Sequence, residues 1–208
     1  MAMSERVRVA AIDTSTDMLA VAVAELVPGA DERADVRVLA TGDHLCRRHA
    51  NVELIGTLDQ ALAEAGLSAG ELDAVLVGRG PGSFTGVRIG ISTAKGLARG
   101  ANVALFGVPT LDSYAWRAWR ASERGLIAVA ADAMRGEVYP ALYRLDEAGA
   151  HRLFERERVV KAAVAVEEWA ARPDASELRL TGDGLVRYGK LFAEAGLMER
   201  ALDREIDA

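Results

Sequence analysis

The sequence predicts an α/β protein built from two related halves. Short apolar runs of strand character alternate with longer segments in which apolar residues recur at helical spacing. In each half a buried run ends at an aspartate, Asp13 or Asp132, and a polar turn leads into a second strand. Later in each half a strand runs into a Gly-x-Gly turn that opens a helix, at residues 78–80 and 182–184. Aligning the two aspartates superimposes both strand–turn–strand units without a gap, which favours duplication over a chance likeness of apolar strands.

The elements are expected to alternate in a simple order. In the first half we predict strands at 7–12, 18–26 and 36–41, a helix at 51–65 ended by Gly66, a strand at 74–77, a helix at 83–100 and a strand at 103–107. In the second half we predict a helix at 111–121, strands at 126–131, 137–143 and 178–180, and a helix running through residue 192. This order places an N-terminal lobe at residues 1–108 and a C-terminal lobe at 109–208.

The segment GPGSFTGVRIG, residues 80–90, organises the first half. Ser83 is a good N-cap for the helix that follows. Small residues then recur at every fourth position of that helix: Gly86, Gly90, Ala94 and Ala98. This bare ridge lets another helix approach closely, so we expect a buried helix between a sheet and a neighbour. A phosphate site is the weaker alternative, because the segment fits neither GxxxxGK[ST] nor GxGxxG.

Composition limits the classes of function. The chain has 208 residues, half of them hydrophobic, and a net charge of −6, so an RNA contact would need a local basic patch. Its single cysteine, Cys46, predicts neither a disulfide framework nor a cysteine metal site. No apolar run is long enough for a membrane span, and residues 1–8 do not resemble a signal peptide. We therefore expect a cytoplasmic protein.

Six segments carry a family resemblance. They are AIDTS at 11–15, GPGSFTGVRIG at 80–90, STAKGLA at 92–98, GV at 107–108, DAxRGEVY at 132–139 and TGDG at 181–184. The architecture resembles the actin, hexokinase and Hsp70-type (ASKHA, ribonuclease H-like) fold, in which two duplicated lobes face a cleft. Over residues 7–195 the chain more closely resembles the TsaB (YeaZ) family. Family members usually continue further past the TGDG helix, so either this sequence is short or the second lobe is reduced.

The resemblance implies a role in tRNA modification. TsaB is similar to TsaD, which attaches a threonylcarbamoyl group to the adenosine beside the tRNA anticodon, and it pairs with TsaD, which the ATPase TsaE joins. We expect a homodimer when TsaD is absent, tRNA contact through the complex, and no cofactor except ATP at the partner complex. The expected interface lies on two helices and comprises Leu54, Ile55, Leu58, Leu62, Gly86, Gly90, Ala94 and Leu97.

The residues argue against catalysis by this chain. TsaD-like proteins carry His-x-x-x-His on the helix after the Gly-Val strand, a spacing that puts both imidazoles on one metal. Here Thr110 and Tyr114 occupy those two positions, so no metal site is predicted. His44, His49 and His151 are expected to be surface or capping residues. We interpret the chain as a non-catalytic scaffold.

Two other functions stay open. The aspartates end strands where related folds bind nucleotide and hydrated metal, and a degenerate cleft would comprise Asp13, Ser15, Asp132, Gly182 and Asp183. An ATP-binding enzyme of the ASKHA type is therefore the rival hypothesis, although turn caps are the favoured interpretation of both aspartates. A contact with RNA or a partner through Arg88, Lys95 and Arg99 is the third.

Overall fold

A computed structural model describes residues 6–29, 34–46, 50–153 and 157–202. The chain divides into two compact units, Met1–Pro109 and Thr110–Ala208. Each unit has its own β-sheet, and the helices are distributed between the two units. No helix among the described residues is long and apolar enough to cross a membrane.

The first unit is a five-stranded mixed sheet with two long helices. Its elements are β1 Val7–Asp13, β2 Met18–Pro28, β3 Ala34–Leu45, α1 Ala50–Glu64, β4 Ala74–Gly78, α2 Phe84–Ala101 and β5 Ala104–Val108. The sheet order is β3-β2-β1-β4-β5. The first three strands are antiparallel, whereas β4 pairs in parallel with both β1 and β5.

Helix ends in this unit follow local chemistry. α1 stops before Gly66, which adopts φ +68°, a conformation that costs glycine little. α2 ends at Asn102, whose left-handed conformation brings the next N–H, that of Val103, to the carbonyl of Ala98 at 3.0 Å. The apolar stripe of α1 packs into the core of the unit with residues of β1, β2 and β4. Amphipathic spacing therefore decides which face of α1 is buried.

The second unit repeats this plan with shorter elements. They are α3 Thr110–Arg120, β6 Gly125–Asp132, β7 Glu137–Asp146, β8 Gly149–Arg152, β9 Val160–Lys161, α4 Ala162–Ala170, β10 Arg179–Thr181 and α5 Gly184–Glu194. The sheet order is β10-β6-β7-β8, and β9 pairs with β7. Here β6 and β7 are antiparallel, and β10 lies parallel to β6.

Both units therefore place a parallel strand on one side of an antiparallel hairpin, as expected for the predicted duplicated fold. The ungapped alignment holds for the strand ends, because four residues separate β1 from β2 and β6 from β7. It does not hold for the pairing register. Asp13 lies opposite Ala20, seven residues on, whereas Asp132 lies opposite Val138, six residues on. One turn is thus wider by a residue.

Candidate functional site

The N-terminus of α2 is covered by the turn between β1 and β2. Ser83 caps the helix, its side chain accepting from Gly86 N at 3.2 Å. Its own backbone N–H donates to the Ser15 carbonyl at 2.6 Å. The hydroxyl of Thr14 donates to the Gly86 carbonyl at 2.7 Å. These bonds tie the start of α2 to its own chain, which favours the packing interpretation of this segment over a phosphate site.

Three glycines at a spacing of four leave room for the turn between β1 and β2 to lie directly against α2 and the loop before it. A Cβ at Gly82 would lie 2.2 Å from Ser15 O, and one at Gly86 would lie 2.0 Å from Thr14 O. At Gly90 a Cβ would lie 2.5 Å from Thr14 Oγ1. The prediction that another helix approaches the glycine end of the ridge is therefore wrong, because a hairpin turn occupies that place.

Asp13 organises this turn. Its Oδ1 accepts from Ser15 N at 2.8 Å and from Ser15 Oγ at 2.6 Å. The carboxylate lies against bare backbone at the end of β4, where a Cβ on Gly78 would come within 2.1 Å of Oδ2. Asp13 and Ser15 therefore meet within one local turn.

Asp132 makes the same local contact but has additional partners. Its Oδ1 accepts from Met134 N at 2.9 Å, the i to i+2 bond that Asp13 also makes. Tyr188 OH donates to Oδ1 at 2.8 Å, and Arg187 Nη1 lies 3.1 Å from Oδ2. Burial and the hydrogen bond to this carboxylate raise the pKa of Tyr188. Asp183 completes the cluster, since its Oδ1 accepts from Asp132 N at 2.9 Å.

Close backbone approach positions the turn before α5. Gly182 adopts φ +115°, and a Cβ there would lie 2.3 Å from the carbonyl oxygen of Ala130. A Cβ on Gly184 would lie 2.7 Å from the same oxygen. The predicted set Asp132, Gly182 and Asp183 therefore meets at one end of β6. Among the described residues no group of three or more His, Cys, Asp or Glu side chains could hold a metal ion.

Most of the predicted interface residues are not at the surface. Six are buried inside the first unit: Leu54, Leu58, Leu62, Gly86, Gly90 and Ala94. Leu97 is partly buried and packs against the same core. The prediction is wrong for the six as direct contacts, because the stripe at helical spacing on α1 and the small-residue ridge on α2 both face their own core. Ile55 alone of the eight is largely exposed, at 60%.

The surface of α1 and α2 carries apolar residues that the sequence analysis missed. Val52 and Phe84 are each 75% exposed. A groove of about 440 Å³ lies between the start of α1 and the first turns of α2. It is lined by Asn51, Thr85, Arg88, Ile89, Ser92 and Thr93. The available signal was an apolar residue outside the regular stripe of α1, Val52, beside the predicted Ile55. We call Val52, Ile55, Phe84 and this groove the α1–α2 surface.

The polar stripe of α2 lies at the surface. Arg88, Lys95 and Arg99 are all exposed. The Arg88 guanidinium lies 5.0 Å from the ring centre of Phe84, so this cation is part of the α1–α2 surface. A guanidinium over an aromatic face is favourable by about 0.5–1 kcal/mol at an exposed site.

The structure also locates two of the three histidines, and Thr110 and Tyr114 on α3. His44 Nε2 lies 2.5 Å from Glu53 Oε2, and His151 Nε2 lies 3.0 Å from Asp146 Oδ1, whereas His49 falls outside the described residues. Thr110 is buried at the start of α3, and the ring of Tyr114 faces the Arg117 guanidinium at 5.8 Å.

Comparison with known proteins identifies the family of the chain. The TsaB protein of Escherichia coli (strain K12), a tRNA threonylcarbamoyladenosine biosynthesis protein, is 37% identical over 193 residues, which are 93% of this chain and 78% of that protein. The chain belongs to the TsaB (YeaZ) family. The structure of YeaZ from Pseudomonas aeruginosa matches with a TM-score of 0.70 and 29% identity, covering 91% of this chain and 79% of that one.

Two further matches complete the comparison. TsaB from Haemophilus influenzae is 37% identical over 129 residues, which are 62% of this chain but only half of that protein. Residues 44–180 match the family model described as TsaD, tRNA N6-adenosine threonylcarbamoyltransferase. The YeaZ match and the two-unit topology confirm the predicted fold class.

Proposed function

We propose that this chain is a non-catalytic subunit of the machinery that makes threonylcarbamoyladenosine in tRNA, and that it binds TsaD. Its curated relatives are named for that biosynthesis, which supports the process. Thr110 and Tyr114 stand where TsaD-like proteins have paired histidines, which supports the non-catalytic role. TsaE joins the pair, tRNA is bound by the assembled complex, and ATP, where required, binds at the partner complex.

The exposed apolar residues of the α1–α2 surface are the observation that supports docking of TsaD at this place. Val52, Ile55 and Phe84 are 60–75% exposed, although large apolar side chains gain about 1.5–3 kcal/mol from full burial. Polar groups in the adjoining groove, Arg88 among them, would fix the orientation of a partner. In the absence of TsaD the same surface pairs with a second copy of the chain.

A binding titration with TsaD from the same organism tests this proposal. Ile55→Asp places a charge on the α1–α2 surface and should weaken TsaD binding by ten-fold or more, about 1.4 kcal/mol. Val186→Asp is the matched control, because Val186 is a 54% exposed residue on α5 of the other unit. The control should bind as the parent does. Equal affinities for both variants and the parent would reject this surface.

The rival function is an ATP-binding enzyme that uses Asp13 and Asp132. Both aspartates accept the backbone N–H two residues on, which is the behaviour of turn caps and supports the non-catalytic proposal. Calorimetry with ATP and a phosphate-release assay on the isolated chain separate the two functions. Turnover that is lost in Asp13→Asn would favour the rival and overturn the non-catalytic assignment.

A further inference from the structure

A cluster of aromatic and cationic side chains lies on the second half of α3 and in the turn that follows this helix. It comprises Trp116, Trp119, Arg120 and Arg124, and we call it the α3 patch. We propose that the α3 patch binds unpaired nucleotides of RNA, one base stacking on Trp116 while the arginines contact phosphates. The choice of RNA as the polyanion rests on the proposed function, whereas the recognition chemistry rests on the geometry of the patch.

Trp116 presents a fixed aromatic face to solvent. It is 44% exposed, and its buried side lies against bare backbone, since a Cβ on Gly149 would come within 2.7 Å of the ring. The ring centre of Trp119 lies 5.3 Å away with the two rings at 73°. Trp119 is held in turn by its indole N–H, which donates to the Asp146 carbonyl at 2.6 Å. An aromatic ring held this way loses little conformational freedom when a base stacks on it.

The cations of the α3 patch keep their charge available. Arg124 Nη1 donates to the carbonyl oxygens of Trp119 at 3.2 Å and Glu123 at 2.7 Å, and the guanidinium lies 5.4 Å from the Trp119 ring centre. Carbonyl oxygens orient a guanidinium without neutralising it. Arg120 is exposed, and no carboxylate in the described parts of the chain pairs with it.

The acidic side chains near the α3 patch are already engaged. Asp112 accepts from Tyr143 OH at 2.7 Å, and Asp146 lies 3.0 Å from His151. Glu123 pairs with Arg179 at 3.1 Å. Arg120 and Arg124 place two positive charges at this surface of a chain whose net charge is −6. A basic surface with an exposed aromatic ring fits single-stranded nucleic acid, in which bases are free to stack and phosphates lie alongside.

Fluorescence anisotropy of a labelled, unstructured 15-nucleotide RNA, titrated with the full chain at several salt concentrations, tests the proposal. The parent should bind at about 50 mM salt, more weakly as salt rises. Trp116→Ala should lower the affinity about five-fold or more with an unchanged salt dependence, since base stacking is not ionic. Arg120→Gln should reduce the slope of log affinity against log salt by about 0.7, one phosphate contact on a single strand.

Lys190→Gln is the charge-matched control, because Lys190 is likewise an exposed cation on a helix, in this case α5. It should bind RNA as the parent does. Thermal melts of each variant establish that it is folded, and Arg120→Gln keeps the test usable if Trp116→Ala unfolds.

Four results would overturn the proposal: no binding by the parent at low salt, parent-like affinity of folded Trp116→Ala, equal losses from Lys190→Gln and Arg120→Gln, or tighter binding of duplex RNA or of DNA of the same sequence. TsaD binding is measured on the same variants. Loss of TsaD binding without loss of RNA binding would assign the α3 patch to a protein partner and overturn it as well. Parent-like TsaD binding with no RNA binding would overturn only this inference and leave the proposed function standing.

Discussion

Replacing Gly90 by alanine tests why the ridge of α2 is bare. An alanine inside a helix is normally more stable than glycine by about 1 kcal/mol. At Gly90, however, the new Cβ would lie 2.5 Å from Thr14 Oγ1 and 3.8 Å from Val77 Cγ2. Thr14 is buried and its hydroxyl donates to the Gly86 carbonyl at 2.7 Å, so it has no free direction in which to move.

The magnitude follows from these opposing effects. Overpacking a filled interior costs about 1–3 kcal/mol. Displacing the Thr14 hydroxyl from its acceptor costs about 1–3 kcal/mol more if it finds no other partner. Against these stands the gain of about 1 kcal/mol in helix propensity. We therefore expect Gly90→Ala to lower the free energy of unfolding by about 1–5 kcal/mol, which lowers the melting temperature by about 2–4 °C per kcal/mol in a chain of this size.

A control lies on the same helix. Gly96 is exposed, and no atom lies within 4 Å of the position of an added Cβ. Gly96→Ala should therefore raise the free energy of unfolding by the propensity gain alone, up to about 1 kcal/mol, and the melting temperature should rise with it. Thr14→Ala removes the obstructing atom, so the double variant Gly90→Ala/Thr14→Ala should be more stable than the sum of the single effects.

Thermal and urea melts of the four variants decide the matter. Additive effects of Gly90→Ala and Thr14→Ala, or stabilisation by Gly90→Ala equal to that by Gly96→Ala, would refute the close approach of the hairpin turn. Because Gly90 is buried in its own unit, the folded variant should keep its affinity for TsaD. Selective loss of TsaD binding would show instead that the ridge faces the partner.

Three further outcomes are expected. Tyr143→Phe should cost about 1 kcal/mol at pH 7, because Tyr143 OH donates to Asp112 at 2.7 Å. Burial raises the pKa of Tyr143 above that of an unfolded tyrosine, so the stability that this side chain contributes is full below about pH 10 and declines above it. Urea melts should therefore show the difference in free energy of unfolding between parent and variant narrowing up to about pH 11. A difference that stays constant over this range would contradict the prediction. Metal analysis of the dialysed chain should find well under one equivalent of transition metal, since Thr110 and Tyr114 are poor ligands; a stoichiometric ion would refute it. Sedimentation should show a concentration-dependent homodimer that dissociates when TsaD is added. A strict monomer, or a dimer that TsaD does not dissociate, would count against the α1–α2 surface.

The duplicated fold could be predicted because its signals are local. A strand ending in aspartate and a glycine turn before a helix each lie within about ten residues, and both recur in the second half. The short strands β8 and β9 and the helix α4 were not predicted. β9 has two residues and β8 has four, too few for alternation to show, and α4 starts without a side-chain cap hydrogen bond. β3 was predicted at 36–41 but extends over Ala34–Leu45.

The interface prediction failed for a physical reason. Hydrophobic periodicity shows that one face of a helix is buried, but it does not say what buries it. Leu54, Leu58 and Leu62 form the regular stripe of α1, and the sheet of the same unit covers them. A surface reserved for a partner shows instead as apolar residues that the stripe does not explain, such as Val52 on α1. Such residues can be recognised only once the structure shows which apolar residues are buried in the core.

The two aspartates show how far a shared local pattern reaches. Asp13 and Asp132 each accept a hydrogen bond from the backbone N–H two residues on, which explains an aspartate at both turns from turn chemistry alone. Their further contacts differ, because Ser15 Oγ serves Asp13, whereas Arg187 and Tyr188 reach Asp132 from α5. A sequence alignment detects the turn, since its donor is two residues away, and misses the guanidinium of Arg187, 55 residues along the chain. Arg187 Nη1 lies 3.1 Å from Asp132 Oδ2, so in this turn a guanidinium from α5 balances the charge of the carboxylate.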